Sequence, residues 1–168
     1  TLGGPLRENR AFFFLGYEAL RERLGKTIST VVPDDNARLG ILPDPANAGR
    51  TITVPVDTAV RPYLDEYPQA NGPSLGGGLA EFTFPFNHTI DQHFLQGRVD
   101  YQLSPAHHFF GRYTFDDADQ NLPTDYPQFP RAFFSRNQFF TAELKQAYSS
   151  NLLATYRGGY SRTRVGQD

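Results

Sequence analysis

Asp91-Gln92-His93-Phe94-Leu95-Gln96-Gly97-Arg98-Val99-Asp100-Tyr101-Gln102-Leu103 is the stretch on which the fold turns. His93, Leu95, Gly97, Val99, Tyr101 and Leu103 fall on one face of an extended chain, and Gln92, Phe94, Gln96, Arg98, Asp100 and Gln102 on the other. A period of two with one face almost wholly polar is a half-buried β-strand. Ser104-Pro105-Ala106-His107 follows, with the Ser and Pro of a tight turn. From His108 to Asp116 the pattern returns, Phe109, Gly111, Tyr113 and Phe115 opposing His108, Phe110, Arg112, Thr114 and Asp116. The pair reads as an antiparallel hairpin.

Working outward, the same unit recurs. From about Phe134 to Tyr148, Phe140, Ala142, Leu144 and Tyr148 alternate with Phe139, Thr141, Glu143, Lys145 and Ala147. After Ser149-Ser150-Asn151, a return strand from Leu152 to Arg164 sets Ala154, Tyr156, Gly158 and Tyr160 against Thr155, Arg157, Gly159, Ser161 and Thr163. Upstream, Ala11–Glu22 alternates and Leu24–Val32 continues it with β-branched residues, preceded by a polar turn at 7–10 and a strand ending near Pro5. The fold class expected is therefore all-β: an antiparallel meander of about five long strands.

The connections are unequal. Short turns at 7–10, 104–107 and 149–151 contrast with a long segment at 33–90 and a medium one at 117–133. A structureless loop of that length argues against an ordinary compact domain. A short helix from Asp57 to Glu66, with Asp57 as N-cap, is expected within it. Short turns at one rim and long loops at the other are the asymmetry of outer-membrane barrels. On that reading the residues 1–168 form a fragment of one outer-membrane barrel domain, with 33–90 and 117–133 extracellular and the three turns periplasmic.

Composition narrows the function. The chain of 168 residues has no Cys, Met or Trp, but 15 Phe, 9 Tyr, 15 Gly and 13 Pro. Without Cys there is no disulfide framework, thiolate metal site or cysteine nucleophile. A net charge of -2 leaves no basic footprint for nucleic acid. No apolar run approaches the roughly 20 residues of a transmembrane helix, and the start Thr1-Leu2-Gly3-Gly4-Pro5 is not a signal peptide; the lack of any Met, the initiator included, suits a processed chain or an internal segment. Hydropathy alone points to a soluble chain, but barrel strands are only half apolar and escape that measure.

The competing reading is a soluble β-sandwich, acting as a carbohydrate-binding module through its aromatic faces. Long arms, aromatic residues at strand ends (Tyr101, Phe109, Phe133, Phe134, Tyr148) and mid-strand charges on the polar faces (Arg98, Asp100, Arg112, Glu143, Lys145, Arg157) favour a membrane barrel with a wet lumen. Phe12, Phe14, Phe94 and Phe110 would point into that lumen, which suits a plugged barrel. The two readings separate on the fate of Leu95, Val99, Tyr101, Phe109, Tyr113, Leu144 and Tyr156: one exposed band on a continuous sheet, or a core covered by a second sheet.

Leu2-Gly3-Gly4-Pro5 through Phe12-Phe13-Phe14-Leu15-Gly16-Tyr17-Glu18-Ala19-Leu20-Arg21 resembles a stretch of TonB-dependent outer-membrane receptors, of the Oar-like group that carries an N-terminal carboxypeptidase-regulatory-like domain. Gly97-Arg98-Val99-Asp100-Tyr101 and Phe109-Phe110-Gly111-Arg112-Tyr113-Thr114-Phe115 resemble the same group's next hairpin, and Tyr67-Pro68-Gln69-Ala70-Asn71 its intervening loop element. The resemblance covers most of 2–116, in order. It implies a bacterial outer-membrane location and a partial segment of a barrel of about 22 strands closed around a plug. It also implies import of a scarce, bulky ligand (siderophore, glycan or peptide). The partners implied are outer-membrane lipid, the plug, the remaining barrel strands, and the inner-membrane TonB complex, reached through an N-terminal region outside this chain.

Nothing in the sequence argues for catalysis. A hydrolase on a β scaffold would need two converging carboxylates, and no Ser sits in a G-x-S-x-G context. Asp117-Ala118-Asp119-Gln120-Asn121 has the start of a calcium loop without its Gly or distant Glu, and reads as an acidic loop. Adjacent His107 and His108 would point to opposite faces, while His88 and His93 lack carboxylates at a recognisable spacing. Gly76-Gly77-Gly78 lacks the Lys of a phosphate cradle and reads as a flexible loop tip. No enzyme activity, cofactor, metal or defined ligand site is expected, and the lumen-facing charges are expected to pair with one another or with the plug.

Overall fold

The computed structural model describes residues 1–167. Its order is β1 (Leu2–Arg7), β2 (Ala11–Pro33), α1 (Asp35–Arg38), β3 (Ile41–Pro43), β4 (Thr51–Thr53), α2 (Arg61–Asp65), β5 (Ser74–Gly76), β6 (Leu79–Ser104), β7 (His107–Leu122), β8 (Arg131–Ser149) and β9 (Leu152–Gln167). One sheet runs β1-β2-β6-β7-β8-β9, with β5 on β6, and β3 and β4 form a separate two-stranded sheet. β2, β6, β7, β8 and β9 are the five long strands, of 23, 26, 16, 19 and 16 residues. Among the described residues no helix is long and apolar enough to cross a membrane, which has no bearing on crossing by strands.

β1–β2, β3–β4, β5–β6, β6–β7 and β8–β9 pair antiparallel, and in the long pairs the register follows the alternation. Leu95 lies opposite Phe115, Val99 opposite Gly111 and Tyr101 opposite Phe109. Phe140 lies opposite Tyr160 and Leu144 opposite Tyr156. A slip of one residue would invert every one of these faces. Two of the turns are closed by serines: Ser104 Oγ accepts the Ala106 N–H, and Ser149 Oγ the Asn151 N–H, at 3.2 and 3.3 Å. At the third, Asn9 takes the left-handed conformation that Asn tolerates.

Three boundaries differ from those expected. β6 begins at Leu79 rather than Asp91, so the connection after β2 is 34–78 and not 33–90. Residues 79–90 alternate well enough, but Pro85, which cannot donate a ladder hydrogen bond, disguises the strand. β7 runs on to Leu122 and β8 starts at Arg131, which shortens 117–133 to a connection of 123–130. Its acidic tail is poor strand sequence by propensity, yet it is held by pairing: Asp117 opposite His93, Asp119 opposite Asp91 and Asn121 opposite Thr89. The helix expected at 57–66 spans only Arg61–Asp65, and its N-cap is Val60. Asp57 does not cap it. Its carboxylate accepts the Ala59 N–H at 2.8 Å and its carbonyl the Val60 N–H at 3.0 Å, so it closes a turn before the helix begins.

The chain divides into two compact units. The first comprises Thr1–Arg23, Thr89–Asn121 and the segment from Ala132 onward; the second comprises Leu24–His88 and Leu122–Arg131. The second has a small core of Val32, Ala80 and Phe84, with the His88 imidazole also buried. Asp34 caps α1 by accepting the Ala37 N–H at 2.7 Å. From the end of α1 the Arg38 guanidinium donates to the carbonyls of Leu64, Tyr67 and Pro68 at 2.7–2.9 Å, tying two loop segments together. Gly76, Gly77 and Gly78 all have positive φ and form the tight turn from β5 into β6, not the free loop tip expected.

Gly40 enters β3 with φ +79, its carbonyl accepts the Val54 N–H at 2.8 Å, and a Cβ there would collide with the Val54 carbonyl. Gly40→Ala should therefore destabilise the β3–β4 hairpin by at least roughly 1–2 kcal/mol, the left-handed penalty alone. Faster amide exchange across 41–54, with the β6–β7 amides unchanged, is the expected readout.

Candidate functional site

The first unit contains one sheet and no second layer among its described residues. It buries a single apolar side chain, Ala11, and one polar one, Glu143. A core is therefore not what organises it. The two faces of the sheet are.

One face is an apolar band. Leu15 of β2 reaches Gly97 of β6, and the band continues through the opposed pairs of β6–β7 and β8–β9 given above. Phe13, Leu15, Val99, Phe109, Tyr113 and Phe140 share one shallow apolar concavity, so the face is contiguous from β2 to β8. Tyr113 and Tyr156 are 40% and 55% exposed. A contiguous apolar surface of this extent on a water-soluble sheet would be a liability. Facing acyl chains, it needs no cover. The seven residues that separate the two sequence readings thus lie on one uncovered band, and no second sheet buries them.

The opposite face carries the charges, and mostly pairs them. Arg98 grips Asp100 through Nε and Nη2 at 2.6 and 2.7 Å, while its guanidinium lies 4.4 Å from the Phe110 ring centroid. His108 Nε2 stands 3.8 Å from the same carboxylate. Glu143, 2% exposed, takes Arg157 Nε at 2.6 Å and Lys145 Nζ at 3.5 Å. Arg112, opposite Arg98, has no carboxylate in reach among the described residues. A ring placed under a guanidinium explains why Phe110 stands on a polar face: it supplies a cation–π partner as well as bulk. Of the six charges singled out from the sequence, five pair on this face and Arg112 does not.

The remaining candidates resolve as structure. Asp117, Asp119 and Asn121 lie in β7, where extended geometry spreads them along one face. Asp117 is engaged by Arg136 through Nε and Nη2 at 2.8 and 2.9 Å. They are therefore strand residues rather than the solvated loop expected. His93 Nδ1 is 2.7 Å from the Tyr17 hydroxyl, and His107 Nδ1 2.8 Å from Ser104 Oγ.

One concave feature was missed by the sequence reading. In the second unit Tyr63, Glu66, Tyr67, Tyr126, Gln128 and Phe129 line a cavity of about 260 Å³. Tyr67 and Tyr126 meet edge to face with centroids 5.4 Å apart. The Tyr126 hydroxyl donates to the Val31 carbonyl at 3.0 Å, and Gln128 Nε2 to the Glu66 carbonyl at 2.7 Å. Its signal was present as two Tyr-Pro pairs, Tyr67-Pro68 and Tyr126-Pro127, since proline holds the residue before it extended.

The family model described as "Outer membrane beta barrel domain" matches residues 1–168. No curated protein and no solved structure matches the chain.

Two substitutions separate the faces. Tyr113→Arg places a charge on the apolar band and should cost roughly 2–4 kcal/mol of folding into lipid vesicles, whereas Thr114→Arg, one residue on and on the polar face, should cost little. Urea titration of the intact protein in vesicles measures both, and equal effects would contradict the assignment of faces. Glu143→Gln leaves Arg157 and Lys145 without their carboxylate. It should lower stability modestly, because both cations lose their acceptor while Arg157 remains largely in solvent. A shift in the same urea midpoint checks it.

Proposed function

The chain belongs to the outer membrane beta barrel domain family and is located in the bacterial outer membrane, and from that premise we propose that it forms wall strands of a TonB-dependent receptor importing a scarce, bulky ligand such as a siderophore, glycan or peptide. The observation that carries the proposal is the contrast between the faces: an uncovered apolar band on one side and a side populated by bonded ions on the other. An open aqueous pore favours charges that face water. Here Glu143 is almost fully covered and Phe94, Phe110 and Phe139 also stand on the polar side, which suits a barrel interior filled by protein. The ordered resemblance of 2–116 to the Oar-like receptors supports the same reading.

In this account the polar face meets the plug, and the connections 34–78 and 123–130 face outward as ligand-selecting loops. The turns at 8–10, 105–106 and 150–151 face the periplasm. The energy for import comes from the inner-membrane TonB complex. The chain's own residues supply a rigid wall and do no covalent chemistry. The aromatic cavity of the second unit offers flat ring faces of the kind that bind sugars or aromatic catechols.

Cells carrying the intact protein should accumulate one member of a labelled panel of ferric siderophores, glycans and peptides, and should lose that accumulation when TonB is depleted. Uptake that persists without TonB, or unselective leakage of small solutes, would keep the barrel and remove the import reading.

A further inference from the structure

The apolar face changes character at its border away from the tight turns. Along β8 and β9 the apolar rows are interrupted after Phe140 opposite Tyr160, and the face becomes apolar again only at Phe134 opposite Gly166. The next two rows of that face are Gln138 opposite Arg162 and Arg136 opposite Arg164. These four side chains alone line a concavity of about 140 Å³. At the opposite border the same two strands present Leu144, Tyr148, Leu152 and Tyr156, and no cation.

The cluster is under-compensated. Arg136 is bonded to Asp117. Arg162 has no ion pair among the described residues, and the Arg164 guanidinium lies 5.2 Å from the Phe134 ring centroid. Three guanidiniums thus converge with two carboxylates near one of them, Asp117 bonded to Arg136 and Asp119 acting on it at longer range, and none bonded to Arg162 or Arg164. Adjacent like charges across a strand pair are destabilising, so Arg136 opposite Arg164 calls for an anion. Guanidinium geometry matches phosphate oxygens in bidentate fashion. The apolar rows directly beyond Phe140 and Tyr160 would lie against the chains of whatever carries that phosphate.

We propose that Arg136, Arg162 and Arg164, with Gln138, form a binding site for the phosphate of an anionic lipid headgroup in the leaflet at this border. The site rests on the lipid-facing assignment of the apolar band. Acyl chains pack on Phe140 and Tyr160, the phosphate sits in the concavity, and the Gln138 amide donates a neutral hydrogen bond. The arrangement anchors this part of the wall at a fixed depth, because moving it toward the bilayer centre would carry three charges into hydrocarbon.

The test uses the intact protein in nanodiscs of phosphatidylcholine doped with phosphatidylglycerol, with co-purifying lipid counted by native mass spectrometry. The wild type should enrich phosphatidylglycerol, and Arg162→Gln/Arg164→Gln should lower that enrichment by roughly five-fold per arginine removed. Arg162→Lys/Arg164→Lys should keep most of it. Unchanged enrichment in the glutamine variant, or none in the wild type, overturns the site. So does inorganic phosphate that binds in phosphatidylcholine-only discs and displaces phosphatidylglycerol, since the site would then serve a soluble anion. A nitroxide on Val99→Cys, in a chain with no other cysteine, reports separately on the band. If the label sits in lipid while the enrichment fails, only the headgroup site falls; if it reports water, the lipid-facing assignment falls with it.

Discussion

Everything in the sheet depends on the backbone hydrogen-bond ladder. Within hydrocarbon there is no water to satisfy an exposed N–H or C=O, and each orphan costs several kcal/mol, so strands survive there only by pairing along their full length. The consequence is visible in β6 and β7, which stay paired from Thr89 opposite Asn121 down to Ser104 opposite His107. It is visible again in β8 and β9, paired from Phe133 opposite Gln167 to Ser149 opposite Leu152. Once the ladder is fixed the side chains have only two directions to point, and the solvent on each side selects them. That is why this first unit tolerates having almost no buried apolar side chain. In water such a sheet would have to find a second layer. In a bilayer the lipid is the second layer.

The polar face shows the complementary problem. Charges close to a low-dielectric layer are expensive unless compensated. Arg98 with Asp100 and Glu143 with Arg157 meet that requirement within the sheet, each by a bidentate or multiple contact. The pairs are positioned by register rather than by loop packing: Glu143 and Arg157 are direct cross-strand partners, and Arg98 and Asp100 are neighbours on one strand face. The ladder therefore sets the electrostatics as well as the shape.

What could be read from the sequence follows from the same logic. The face assignments of 91–103, 108–116, 134–148 and 152–164 were legible because lipid on one side and polar contacts on the other impose a strict period of two. The strand ends were not. Pro85 masks the start of β6, and the acidic run Asp117–Asn121 reads as loop because its stabilising partners, Arg136 and the facing strand, are remote in sequence. The second unit was least legible. Arg38 works through three carbonyls some 26 to 30 positions away, and main-chain acceptors leave no mark in side-chain pattern. Asp57 looked like a helix cap because an Asp before an apolar stretch does so in either role; the turn it closes uses the same acceptor two residues on.

The two units then express two ways of stabilising one chain. β2 and β6 each contribute residues to both. In their first-unit portions they obey the alternation demanded by a bilayer, with Leu15, Leu95 and Val99 uncovered. In their second-unit portions they bury Val32, Ala80 and Phe84 as a water-soluble protein would. The switch from lipid-facing to core-facing apolar residues along a single strand requires no break in the ladder, because pairing is indifferent to what lies above the sheet. Sequence change in the second unit is limited by a small core and a few capped turns, whereas change in the first is limited at every outward position by lipid. Sequence variation can therefore accumulate in the connections 34–78 and 123–130 while the strands of the first unit keep their pattern.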